Sequence, residues 1–300
     1  MTEQLARWIS LITFLCTYTL FVVRPNIRTW AAIGGALIVV GTGAIPHNEA
    51  FWAINWNVMG IFWGMLVISE LFMRSLMPAF LAEWLVKHSP TSRIAIIYLF
   101  CLSSGISVFL ENVAVVLLLA PIAFAITRRL TISPIPVMIG IAVCSNLQGT
   151  ATLIGDPPSM LLGDHANMTF LDFFIMDGKP SIFFAVQLAA VAGMIVLFFL
   201  LDRGKPIGKY EPTVKVTSMF PTWLLAAMVV ALAGASFVEV GFHGVPGTIC
   251  MVFAGVGLIW HAIVTDESSK GLIRDLDWET TGFLVCIFIL VGSLASNQWL

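Results

Sequence analysis

Ser145-Asn146-Leu147-Gln148-Gly149-Thr150-Ala151-Thr152-Leu153-Ile154-Gly155-Asp156-Pro157-Pro158-Ser159 breaks an otherwise apolar run over residues 134–163. Glycines raise the cost of staying helical. Pro157 and Pro158 cannot donate to a preceding turn, and Pro158 disfavours helical geometry at Pro157. The run is therefore expected to unwind in its middle and to restart after the prolines. That leaves free N–H groups and a positive half-helix end facing the gap.

A second irregular stretch lies just upstream. Residues 94–126 form a 33-residue apolar run interrupted by Ser103-Ser104-Gly105, Ser107 and Glu111-Asn112. Two full crossings with a turn need more than about 40 residues. Loop charge is silent here, since two crossings and none return the chain to the same side. Length favours a re-entrant hairpin turning near Glu111-Asn112. Irregular backbone at that depth is tolerated only where it lines a cavity or is enclosed by protein.

Composition fixes the class around these two stretches. Of 300 residues, 59% are hydrophobic and 11% charged, 15 basic against 17 acidic, and mean hydropathy is +0.95. Ordinary soluble domains carry about 25% charge, so soluble enzyme classes are excluded. A net charge of −2 gives no basis for a nucleic-acid partner. The lipid bilayer is the expected surroundings, in a multi-pass protein of the cell (inner) membrane. Cys16, Cys101, Cys144, Cys250 and Cys286 are far apart in apolar runs and read as small buried hydrophobes rather than a disulfide or zinc framework.

Further spans are expected near residues 8–23, 29–45, 58–77, 181–201, 223–240, 245–264 and 282–294. The first could imitate a signal peptide, but no small-residue cleavage site follows. Basic loops stay cytoplasmic. Arg24 and Arg28, Lys87 and Arg93, Arg128 and Arg129, then Arg203, Lys205, Lys209 and Lys215, and finally Lys270 and Arg274 mark five inside loops. Residues 46–57 and 239–244 carry no Lys or Arg, and 164–180 carry only Lys179. These face outward, with the N-terminus outside. His47, His88, His165, His243 and His261 fall in loops or at span ends and read as interfacial, as do most of the ten Trp residues.

Ile54-Asn55-Trp56-Asn57 followed by Gly60 recurs as Leu276-Asp277-Trp278-Glu279 followed by Gly282. Loop charge runs the first copy inward and the second outward, the pattern of inverted-repeat transporters. The expected fold is an all-α polytopic membrane protein with a re-entrant hairpin, a broken transmembrane helix and an incomplete second repeat. Its organisation reads as N-terminal spans (1–50), a first repeat (51–201) holding the hairpin (94–126) and broken helix (134–163), a connecting loop and spans (202–264), and the start of the second repeat (265–300). Because the second copy reaches Leu300 just after its first span, a C-terminally truncated chain is expected.

Three motifs carry a family resemblance. Asn55-Trp56-Asn57-Val58, then Leu110-Glu111-Asn112-Val113-Ala114-Val115-Val116-Leu117-Leu118-Leu119-Ala120-Pro121, then residues 149–159 resemble, in order, motifs of the ion transporter superfamily. That group includes citrate transporters, arsenite permeases, NhaD-type sodium/proton antiporters, dicarboxylate/sodium symporters and the melanosomal P protein. The resemblance implies an ion-coupled secondary transporter, typically a homodimer with a scaffold and a moving domain. It also implies that the hairpin tip and broken helix hold ion and substrate. Two positions depart from it: Glu111-Asn112-Val113 stands where the sodium-dicarboxylate branch has Ser-Asn-Thr, and Ser159 where Asn is usual.

Glu111 leads the candidates, because a carboxylate in the membrane interior costs about 2.5 to 3.5 kcal/mol and usually pairs or works. It is expected to take a proton or help bind a cation. Its bland reading is an outside loop between two short spans. Asn112, Asn146, Thr150 and Thr152 offer neutral oxygens that, with unwound carbonyls around Gly149 and Gly155, suit a sodium site; Asn112 and Thr150 are its core. Their bland reading is helix-packing glue. Asp156 is a ligand or the cap of the restarted half-helix. Glu70 and Arg74, four apart, read as an ion pair.

The leading function is ion-coupled secondary transport of a small ion or anion: a citrate-like carboxylate, arsenite, or sodium/proton exchange. Apart from sodium or a proton as coupling ion, no cofactor is expected. The alternative is a membrane-embedded enzyme such as an intramembrane protease, but Leu153-Ile154-Gly155-Asp156 lacks the first Gly of Gly-x-Gly-Asp and a partner Asp in a second span. No Lys or Arg lies within 94–127 or 131–178. That fits sodium/proton exchange or an uncharged arsenic species somewhat better than citrate.

Overall fold

The computed structural model describes residues 3–130, 132–201, 206, 214–237, 244–265 and 269–299. The basic residues Arg203, Lys205 and Lys209, His243 and most of the loop 239–244 lie outside the described residues, as does the side chain of Arg129. The helices, in chain order, are α1 (Glu3–Val23), α2 (Arg28–Gly41), α3 (His47–Ala53), α4 (Trp56–Arg74), α5 (Met77–Lys87), α6 (Ser92–Ser107), α7 (Asn112–Leu130), α8 (Pro134–Gly149), α9 (Pro157–His165), α10 (Ile182–Leu200), α11 (Phe220–Ala235), α12 (Val245–Val264), α13 (Ser269–Asp275) and α14 (Trp278–Ser296). Five of them, α1, α4, α10, α12 and α14, are long and apolar enough to cross a membrane. The protein is all-α and polytopic. A two-residue strand pair, Ile175–Met176 with Lys179–Pro180, closes on Asp177-Gly178. Both turn residues have positive φ (51° and 73°), the tight hairpin geometry that an Asp-Gly pair favours.

Two compact units divide the chain, Met1–Met59 with Asp275–Leu300, and Gly60–Arg274. In the first, α14 packs on α1, α2 and α3. Val39, Ala44, Ile45, Ala50 and Leu290 form its buried apolar cluster. Polar groups tie the helices together: the Ser10 and Ser293 hydroxyls lie 2.7 Å apart, and Asn297 Nδ2 donates to the Ala44 carbonyl at 2.8 Å. Such side-chain bonds join helices where lipid offers no hydrophobic drive for association.

In the second unit α6, α7 and α8 pack together, with α5 against α6 and α7 and α10 against α8. α6 and α8 run parallel: Ser103 Oγ donates to the Ile141 carbonyl (3.1 Å) and Ser107 Oγ lies 2.8 Å from the Ser145 carbonyl. α4 and α12 also run parallel, with Gly60 facing Gly247, Gly64 facing Cys250, and Leu71 facing Gly257. The loop charges give both pairs the same relative directions. A Cβ on Gly64 would lie 2.6 Å from the Cys250 backbone, which is the small-residue contact that lets membrane helices approach closely. Gly64→Ala is therefore expected to cost about 1–3 kcal/mol as overpacking. Gly34→Ala in α2, where nothing lies within 4 Å, should gain a few tenths to about 1 kcal/mol. Thermal unfolding of the two variants in detergent checks the contrast.

Several expectations are corrected. The span at 29–45 is helical only from Arg28 to Gly41; Gly43 then turns at φ +71°. α3, α5 and α13 stand in stretches read as loops. Cys16 and Cys101 are exposed, whereas Cys144 and Cys250 are buried, and all five cysteines are free. His261 stands at a span end, in the last turn of α12, but is only 3% exposed, enclosed by protein. Glu70 and Arg74 do pair, at 2.7 Å.

The sequence repeat has a structural counterpart. A 7-residue helix, two connecting residues and a 19-residue helix occur twice, as α3–α4 and α13–α14. Asn55 Oδ1 accepts the Val58 N–H (3.0 Å) before the first long helix, and Asp277 Oδ1 the Thr280 N–H (2.8 Å) before the second. Both are side-chain N-caps with Trp at the first helical position.

Candidate functional site: a hairpin tip against a broken helix

The hairpin turns at residues 108–111 between α6 and α7. α8 stops at Gly149, residues 150–156 leave helical form, and α9 begins at Pro157. The restart thus includes both prolines rather than following them. The first N–H groups of a helix have no intrahelical acceptor, so Pro there loses nothing, and its fixed φ suits the helix. Asp156 is the cap: its Oδ1 accepts the Ser159 N–H at 3.0 Å. Ala151, Leu153 and Ile154 are at most 1% exposed, so the irregular backbone is enclosed by protein, as membrane depth demands.

Asn112 joins the two pieces. Its Nδ2 donates to Asn146 Oδ1 (2.9 Å), and its backbone carbonyl accepts from Ser145 Oγ (3.0 Å). Ser107 Oγ lies 2.8 Å from both Asn112 Oδ1 and the Ser145 carbonyl and gives its single proton to one at a time. Thr152 Oγ1 donates to the Val108 carbonyl (2.5 Å), tying the break to the hairpin turn. Glycines permit the approach: a Cβ on Gly149 would collide with the Asn112 amide, and one on Gly155 with the Gly149 carbonyl oxygen.

Among the sequence candidates, Asn112, Asn146, Gly149, Thr152 and Gly155 come together here. Glu111, half-buried, sits next to Asn112, and its carbonyl accepts the Val115 N–H (3.1 Å), so it occupies the cap position of α7. Thr150 turns its hydroxyl back to the Leu147 carbonyl (2.9 Å). Asp156 and Ser159 are buried and bonded to each other. Sequence reasoning missed Ser107 and Ser145 as partners of Asn112. The signal was present in Ser103 and Ser107, four apart and hence on one face of α6. It also missed the reciprocal amide pair of Gln148 and Gln187, at 2.9 and 3.0 Å, which ties the end of α8 to α10. Beside the hairpin a cavity of about 540 Å³ is lined by Ser104, Val108, Phe109, Gln148 and Gln187, among others.

Asn112 Oδ1, Asn146 Oδ1, Ser107 Oγ and the Ser145 carbonyl form a cluster of neutral oxygens, the donor type that hard cations prefer. The positive ends of α7 and α9 lie at the hairpin tip and at the break. Asp156→Ala should cost about 0.5–2 kcal/mol through loss of the cap, while Asp156→Asn, which still accepts, should lose much less. Thermal unfolding of both variants checks this; equal losses would contradict the capping role.

Comparison with known proteins agrees with this architecture. A 46 kDa membrane protein of Mycobacterium leprae is 28% identical over 298 residues, covering 97% of this chain and 68% of that protein. An uncharacterized transporter of Mycobacterium tuberculosis is 26% identical over 303 residues, covering 96% and 68%. Magnetosome protein MamN of Magnetospirillum gryphiswaldense is 29% identical over 171 residues, 55% of this chain and 39% of that protein. The sequence profile of the citrate transporter family matches residues 18–297. With its apolar helices, the chain is a multi-pass integral membrane protein and a membrane transporter, and it belongs to the citrate transporter family.

Proposed function

We propose that the protein is an ion-coupled secondary active transporter whose coupling cation sits between the hairpin tip and the helix break, with Glu111, Asn112, Asn146, Gly149 and Thr150 around the solute. The observation carrying this is the Asn112 amide, set against Gly149 and bonded to Asn146 across the two interrupted elements. Polar side chains and interrupted helices meeting inside an apolar membrane bundle are the arrangement in which transporters hold a solute. Sodium is the cation that the neutral oxygens suit, and a proton the one that Glu111 suits. Asp156, the acid that an intramembrane protease would use, is engaged as a helix cap, which favours transport over peptide hydrolysis.

Two substrate readings rest on separate observations. The family match favours a citrate-like carboxylate, which would lean on the positive ends of α7 and α9 and on the bound cation. The lack of Lys and Arg over 94–127 and 131–178 favours sodium/proton exchange or an uncharged arsenic species. Vesicles holding the protein should separate the readings when citrate uptake, arsenite flux and sodium-driven proton movement are measured side by side. Activity in one of the three that depends on an imposed cation gradient is the expected result. No gradient-dependent flux in any of them would overturn the proposal.

A further inference from the structure

A second cavity, of about 420 Å³, lies in the larger unit at the ends of α4 and α12 and the start of α11, away from the hairpin. Arg74, Ser75, Thr217, Ser218, His261 and Thr265 are among its lining residues. His261 is 3% exposed, and its Nδ1 is buried without a hydrogen-bond partner. Leaving such a group unsatisfied costs about 1–3 kcal/mol, so a ligand that bonds to it would relieve a standing penalty.

The remaining polar lining is rich in donors. Arg74 is held by Glu70 through Nε at 2.7 Å, which orients a guanidinium with further N–H groups. Ser218 Oγ accepts the Phe220 N–H (3.2 Å), leaving its own proton to give. α11, 16 residues long, starts here with Pro221 in the wall, so its positive end adds to the field. Trp260, stacked on Phe220 at 4.5 Å, supplies an aromatic rim, the kind of side chain that settles at membrane interfaces. Glu70 is the acid that faces Arg74, and Lys215 is an exposed base in the same segment as Thr217 and Ser218. Asp266 and Glu267, next in sequence, lie outside the described residues. By loop charge this is the cytoplasmic end of the helices, where basic pockets between spans meet anionic headgroups.

We propose that this cavity binds a phosphate group, presented by a phospholipid headgroup or by a small soluble phosphate. Arg74, His261 and the Ser218 hydroxyl donate to its oxygens, and bound phosphate ties the ends of α4, α11 and α12 together.

Thermal unfolding of the purified chain in neutral detergent tests this with three additions: phosphatidic acid, diacylglycerol with the same acyl chains, and inorganic phosphate against chloride at matched ionic strength. A ligand that binds the folded state raises the midpoint. The expected result is a rise with phosphatidic acid and none with diacylglycerol. A matching rise with inorganic phosphate identifies a soluble ligand, and its absence a lipid. His261→Phe removes the unsatisfied nitrogen, so without ligand it should be as stable as the parent or more so, yet lose the phosphate response. Arg74→Gln should weaken the response on the order of tenfold. No rise in the parent with either phosphate compound, an equal rise with diacylglycerol, or a full response in both variants would overturn the proposal.

Discussion

Replacing Gly155 by Ala is expected to abolish transport and lower the unfolding temperature together. The added Cβ falls on the Gly149 carbonyl oxygen. That atom belongs to the backbone at the end of α8, so no rotamer change relieves the clash, and the break itself must open. Overpacking of this kind costs about 1–3 kcal/mol. Gly149→Ala differs in kind, since its Cβ meets the end of the Asn112 side chain rather than backbone, and a side chain can turn away at the loss of its bonds to Ser107 and Asn146. Gly149→Ala should thus stay closer to the parent in stability while losing most of its cation-dependent flux. Paired measurements of vesicle uptake and thermal unfolding check both variants. Parent-level uptake by Gly155→Ala would show that the contact between the two ends of the break is dispensable.

Glu111→Gln is expected to uncouple flux from its driving gradient while leaving the fold in place. The substitution keeps the side chain's shape at the start of α7 and removes its charge and its proton-carrying capacity. Its effect should therefore appear in coupling rather than in stability. Flux in vesicles under imposed proton and sodium gradients should lose its dependence on at least one of them. Unchanged gradient-dependent transport at every pH examined would remove Glu111 from the coupling chemistry.

The two interruptions were legible because their residues fail physically at what surrounds them. Gly149, Gly155, Pro157 and Pro158 resist a continuous helix, and Glu111 and Asn112 resist lipid. For Asp156 the sequence left ligand and helix cap both open, and the bond from the Ser159 N–H shows the cap. The point of restart was not legible, because the rule that the residue before proline avoids helical geometry is outweighed at a helix start, where no N–H is lost. α3 and α5 escaped notice because short helices at the ends of spans carry no long apolar run; α5 is only 11 residues and owes its position to contacts with α6 and α7. Ser107 and Ser145 show in sequence as polar breaks in apolar runs, and Ser107 by its spacing from Ser103, but the sequence does not say what they bond. Only the parallel alignment of α6 and α8 sets them against Asn112. The place of His261 at the end of α12 was legible for a related reason, but its burial was not, because only the packed ends of neighbouring helices enclose it.

The claim on which the rest depends is that a cation occupies the junction of hairpin and break. Equilibrium binding of radioactive sodium to the purified protein, competed by protons and compared with Asn112→Ala, addresses it most directly. Saturable binding in the parent, displaced on acidification and lost in Asn112→Ala while that variant still unfolds cooperatively, is the expected result. Saturable binding that survives intact in a folded Asn112→Ala protein, or none in the parent at any pH, would contradict it.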